Sequence, residues 1–134
     1  MVEVNNQTKS KIDIKLVRRV AEEFLVHYKL NTKEVSIVFV SDQEIKRINK
    51  SYRQIDKETD VLSFEGEGDF LGEIVIDYAQ IKRQAKEFNR GINDELVFIL
   101  VHGLLHLVGY DDKTEKSRLK MVKLGERFIR ILNF

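Results

Sequence analysis

Two of the chain's three histidines, His102 and His106, lie four residues apart in a strongly apolar run that ends Val108-Gly109-Tyr110-Asp111-Asp112. On an α-helix that spacing puts both imidazoles on one face, a turn apart. Gly109 can end the helix and turn the chain back, so that Asp112 approaches the same point. Two imidazole nitrogens and a carboxylate oxygen suit a zinc ion, and three protein ligands leave a position open for water or substrate. Nickel, manganese and iron accept the same mixed set. A single histidine on an apolar helix is ordinarily a hydrogen-bonded core residue. Two at this spacing, followed by a glycine and an acidic pair, favour metal ligation.

The pattern His-x3-His-x2-Gly-x2-Asp has the layout of the metzincin proteases, but Gly103 stands where those enzymes carry a catalytic glutamate. That glutamate activates water for peptide hydrolysis, and glycine has no group to do so. Peptide hydrolysis is therefore disfavoured and phosphodiester hydrolysis stays open. A metal polarises a phosphoryl oxygen, and an arginine gives phosphate bidentate contacts.

The histidines must be held by a helix from Asp94 to Val108, capped by Asn93 or Asp94. Apolar residues occupy nearly all of its faces, the pattern of a central, buried helix. Upstream, Val2 to Asn6 reads as a short edge strand. Ile12 to Leu30 reads as an amphipathic helix through Ile12, Leu16, Val20, Phe24 and Tyr28. Val35 to Val40 is a β-branched strand. Ser41 or Asp42 caps a helix with Ile45, Ile48 and Tyr52 on one side. Thr59 to Glu65 and Phe70 to Tyr78 form a hairpin. Ala79 to Arg90 is a polar helix stopped by Gly91. A last helix, Thr114 to Leu132, turns Leu119, Val122, Leu124, Phe128, Ile129 and Leu132 to the core. This order predicts an α+β fold: one small mixed sheet of about four strands, covered by helices, with the histidine helix buried at its centre.

With 134 residues the chain fits one domain, 1–134, and 43% apolar residues suffice for a core. Cysteine is absent, which excludes disulfides, thiolate nucleophiles and cysteine-bound zinc. The first residues lack the basic start and apolar middle of a secretory signal, and the longest apolar run is too short to cross a bilayer. The expectation is a soluble, cytoplasmic protein without membrane partners. A net charge of +1 hides segregation. Lys113 to Phe134 is basic, while Gln54 to Asp77 is acidic. The basic last helix is a candidate to track an RNA backbone, against the plainer reading of a solvated face.

The histidine segment resembles the YbeY family of rRNA-maturation endoribonucleases, whose signature reads His-Gly-x-Leu-His-Leu-x-Gly-Tyr-Asp-His. Only the last position departs, with Asp112 in place of His. A second segment, Ile48-Asn49-Lys50-Ser51-Tyr52-Arg53-Gln54-Ile55-Asp56-Lys57-Glu58-Thr59-Asp60-Val61-Leu62-Ser63-Phe64, is similar to the family's Leu-Asn-x-x-Tyr-Arg-x-x-Asp-x-Pro-Thr-Asp-Val-Leu-Ser-Phe block. Leu71 to Ile76 fits the strand that follows. The resemblance covers essentially the whole chain.

It implies a zincin-like metal helix and metal-dependent cleavage of single-stranded RNA, with roles in small-subunit rRNA processing and ribosome quality control. It implies His102 and His106 as ligands of one Zn²⁺, Asp112 in the third ligand position, and Arg53 as the functional arginine, lining a cleft and binding phosphate. Asp111 is the alternative ligand, but it matches a non-ligand aspartate of the family. The competing readings are a ribosome-associated RNA-binding module with a structural metal and, behind it, a metallopeptidase.

Overall fold

The computed structural model describes residues 1–132. In chain order the elements are β1 (Val2–Asn6), α1 (Ile14–His27), β2 (Glu34–Val40), α2 (Asp42–Arg53), β3 (Val61–Glu65), β4 (Phe70–Asp77), α3 (Tyr78–Glu87), α4 (Ile92–Leu107) and α5 (Glu115–Leu132). Four helices start on a side-chain cap. Asp13, Ser41, Asp77 and Thr114 accept from the backbone N–H of Leu16, Glu44, Gln80 and Ser117, filling donors the first turn leaves unpaired.

The strands form one mixed sheet in the order β1-β2-β4-β3. β1 and β2 pair in parallel, as do β2 and β4, while β3 and β4 make the antiparallel hairpin. Period-two alternation gives the sheet two apolar faces. Val35, Ile37 and Phe39 of β2 join Ile74 and Ile76 of β4 on one face, in a core with α1, α3, α4 and α5. Val40, Val75 and Leu62 lie in a smaller cluster with Ile45 of α2. Each fully buried side chain of this size contributes about 1.5–3 kcal/mol. The expected α+β architecture, with the histidine helix inside it, is the one observed.

Local differences have physical causes. α3 stops before Gly91: Phe88 caps it, and Asn89, at φ 54°, takes the left-handed turn expected of that glycine. Gly91 is instead the extended N-cap residue of α4, and Asn93 and Asp94 lie inside its first turn. There the acidic Asp94 and Glu95 complement the positive end of the helix. α1 is shorter than its apolar pattern, because Ile12 packs on the core from the preceding loop. On α5 the buried stripe is Met121, Gly125, Phe128 and Leu132. Leu124 and Ile129 are partly buried, Val122 lines a cleft, and Leu119 is 46% exposed. Tyr52 is likewise exposed, its ring centroid 5.2 Å from that of Phe64. Asn133 and Phe134, the end of the basic segment, lie outside the described residues.

Candidate functional site

α4 is held on several sides: Leu96, Leu100, Leu104 and Leu105 are buried in the main core. His102 and His106 occupy its remaining strip, with side chains 21% and 28% exposed. Their ring centroids are 4.9 Å apart and nearly perpendicular. The chain leaves α4 through Val108 and then Gly109, whose φ of +104° is a conformation L side chains rarely adopt. Tyr110 N–H closes this turn on the Leu105 carbonyl at 3.1 Å. The returning segment brings Asp112 Oδ2 to 3.4 Å from His102 Nε2 and 3.5 Å from His106 Nε2.

One ligand atom from each of these three residues lies within 4.8 Å of the others, the one such group of histidine and carboxylate among the described residues. Asp111 turns elsewhere. It accepts from Lys113 N–H at 3.1 Å, and this bond holds its carboxyl below the usual carboxylate range. Burial, then the neighbouring His106, push the His102 imidazole below its ordinary pKa, with Asp112 and Asp60 opposing. A neutral imidazole keeps the lone pair that metal ligation needs. The donor set, its convergence and the state of His102 therefore fit a divalent ion.

The cluster opens on a cleft of about 880 Å³ lined from four directions. β3 and the residues before it contribute Asp60, Val61 and Ser63, α4 contributes Phe98 and Ile99, α5 contributes Arg118 and Val122, and α2 contributes Tyr52 and Arg53. Arg53 is the last residue of α2. Gln54, left-handed at φ 59°, stops the helix by donating to the Asn49 and Lys50 carbonyls. The buried Asn49 side chain then donates to the Lys57 carbonyl at 3.0 Å, tying down the loop that runs to β3. Arg53 and the histidines, 49 positions apart, thus line one cleft.

Sequence reasoning did not single out Asp60, Ser63 or Arg118 as site residues. Asp60 is half-buried and accepts from Gln84 Nε2 at 3.3 Å, while Gln84 also donates to buried Glu95 at 3.0 Å. Ser63 was visible as the polar residue between Leu62 and Phe64, a weak signal. His27 lies outside the cluster, its ring against Tyr28 and Phe128. Tyr110 packs on the main core and under Lys120, away from the cleft lining.

Four mixed strands and a central helix whose histidines meet a returning aspartate define a small α+β protein with a candidate metal centre. The sequence model of the family described as Endoribonuclease YbeY matches residues 3–133. The Endoribonuclease YbeY of Heliobacterium modesticaldum is 40% identical over 121 residues, 78% of this chain and 73% of that protein. That of Aliarcobacter butzleri is 37% identical over 135 residues, covering 96% and 92%. The solution structure of TM1509 from Thermotoga maritima aligns at a TM-score of 0.70 and 30% identity, over 96% of this chain and 87% of that one. The chain belongs to the Endoribonuclease YbeY family.

Proposed function

We propose that this chain is a metal-dependent endoribonuclease that hydrolyses single-stranded RNA. It acts in the cytoplasm, in small-subunit rRNA maturation and ribosome quality control, with the small ribosomal subunit as partner. The observation that carries the reading is the convergence of His102, His106 and Asp112 on a cleft that also receives Arg53. Family membership supports RNA as the substrate. No helix among the described residues is long and apolar enough to cross a membrane. One sheet backed by one main core supports treating 1–134 as a single domain.

In this reading His102 Nε2, His106 Nε2 and an Asp112 oxygen hold one Zn²⁺ per chain. The ion supplies Lewis-acid stabilisation of charge developing on a phosphoryl oxygen. The protein's own residues do the rest. Arg53 binds and orients the phosphate through its planar fork. Arg118 adds a second cation from the α5 wall, and Phe98, Ile99 and Val122 form apolar lining. Both histidines are partly exposed in an open cleft, which favours a site with a free position over a closed structural one. Gly103 leaves the protease's base unfilled, which disfavours peptide hydrolysis.

The test is cleavage of one labelled RNA, offered single-stranded or annealed to its complement. The proposal expects internal cuts in the single strand, protection in the duplex and loss of both cutting and bound metal in His102→Ala. Equal cutting by His102→Ala would contradict it.

A further inference from the structure

We propose that the outer flank of α5 is a second docking surface for the RNA phosphate backbone, separate from the cleft. It rests on the reading that the substrate is RNA.

Even with the charge of a bound divalent ion counted, the cleft offers a polyanion a net charge of only about +1. Its lining carries Arg53 and Arg118 against Asp60, Glu65 and Asp112. Backbone affinity in nucleic-acid-binding proteins comes mainly from lysine and arginine at phosphates, so most of it must come from outside the cleft.

α5 offers such a surface. Its buried stripe, Met121, Gly125, Phe128 and Leu132, divides the helix into two flanks. At about 100° per residue, Arg118 and Val122 fall on the flank lining the cleft. Lys116, Lys120, Lys123 and Arg127 fall on the other side, along a separate shallow groove of about 710 Å³. Their spacing of i, i+4, i+7 and i+11 makes a continuous ridge of roughly 16 Å at 1.5 Å per residue. The only carboxylate in that lining is Glu115, at the helix start. None of the four cations takes part in an ion pair among the described residues.

An aromatic residue joins the ridge to the metal site. Lys120 Nζ stands 5.6 Å from the centre of the Tyr110 ring. Tyr110 belongs to the same short turn that returns Asp112 to the histidines. One face of this loop thus meets the basic ridge and the other meets the cleft. An RNA strand whose scissile segment lies in the cleft continues around the loop onto the ridge.

The test compares the full chain with the fourfold variant Lys116→Gln, Lys120→Gln, Lys123→Gln, Arg127→Gln. Binding of a 30-nucleotide polyuridylate is measured across a sodium chloride series, and cleavage of a five-nucleotide RNA at one salt concentration. The groove predicts a log K against log salt slope shallower by about 3 in the variant, since single strands lose roughly 0.7 per phosphate contact. Short-RNA cleavage stays unchanged, and arginine at the three lysine positions preserves the slope. An unchanged slope in the glutamine variant overturns the groove while leaving the nuclease reading intact. Loss of slope with no cleavage by the unmodified chain supports the groove and removes the nuclease reading. Equal affinity of the unmodified chain for polyglutamate of matched charge overturns RNA as the occupant.

Discussion

The Ser63 hydroxyl donates to the Gly103 carbonyl oxygen at 3.1 Å, seating the histidine helix directly on β3. A Cβ at position 103 would lie 3.2 Å from Ser63 Oγ, 3.2 Å from Ile74 Cγ2 and 3.3 Å from Val61 Cγ2. Position 103 therefore faces the sheet, and the lack of a catalytic base there has a packing reason as well as a chemical one. Gly103→Glu should overpack this contact and place a carboxylate against apolar side chains. The expected loss is about 3 kcal/mol, read by denaturant unfolding. Native-like stability with a gain of peptide cleavage would show that the site is a protease scaffold lacking only its base.

On the proposed reading, Asp112 sets metal affinity. Its Oδ2 is the third donor of the cluster and is supplied by a loop. Asp112→Ala should weaken zinc binding by about 100-fold or more, judged against the 10–100-fold that even outer-shell partners contribute. Competition with a chromophoric chelator measures this. Asp112→His replaces a carboxylate with a second donor type that zinc accepts, so it should retain the metal. Unaltered affinity in Asp112→Ala would assign the third position elsewhere.

Arg53 should act on the substrate and leave the metal alone. Arg53→Ala removes a charge-assisted contact worth about 1.5–3 kcal/mol, so kcat/KM on single-stranded RNA should fall roughly 10- to 100-fold. Metal content should not change, and Arg53→Lys should recover only part of the activity, because ammonium lacks the planar fork. A parallel fall in bound zinc would place Arg53 among the structural supports of the site.

A pH effect on stability should arise away from the cleft, where α2 and α3 begin. Asp77 is fully buried, and burial together with the adjacent Asp42 carboxyl raises its pKa to about 7. Asp42 is held at about 2, first by its bidentate contact with Arg83. For Asp77 the folded chain holds its proton more tightly than the unfolded chain. That contribution to stability is full below about pH 4 and is lost as pH rises to about 7. Asp77→Asn mimics the protonated form and can still cap Gln80. It should stabilise the protein at pH 8 by on the order of 2 kcal/mol and do little at pH 4. Equal effects at both pH values would mean that Asp77 ionises freely in the folded chain.

The parts of the site that were legible in the sequence are those built locally. His102 and His106 follow from one helical turn, and Asp112 from the return that Gly109 permits. Arg53 needed the resemblance, because no local rule brings the end of α2 to a helix 49 residues later. Asp60, Ser63 and Arg118 were missed for the same reason: strand order and helix docking place them, and neither shows in periodicity. The fold class followed from the alternation of elements, including parallel pairs early and a hairpin later. Boundaries failed where two signals competed. Asn89 and Gly91 both suit a helix end, and the left-handed turn fell to the asparagine. On α5, Leu119 and Met121 were both available to the core, and the buried stripe runs through Met121, Gly125, Phe128 and Leu132.

The central claim is that the cluster on α4 holds a metal needed to cut RNA. Its most direct test follows one preparation of the full chain through removal and return of zinc, with metal content and single-stranded RNA cleavage measured at each stage. The prediction is about one zinc per chain when active, loss of cleavage when the ion is stripped, and recovery on adding it back in unmodified protein but not in His102→Ala. Full cleavage by the stripped protein would contradict the claim.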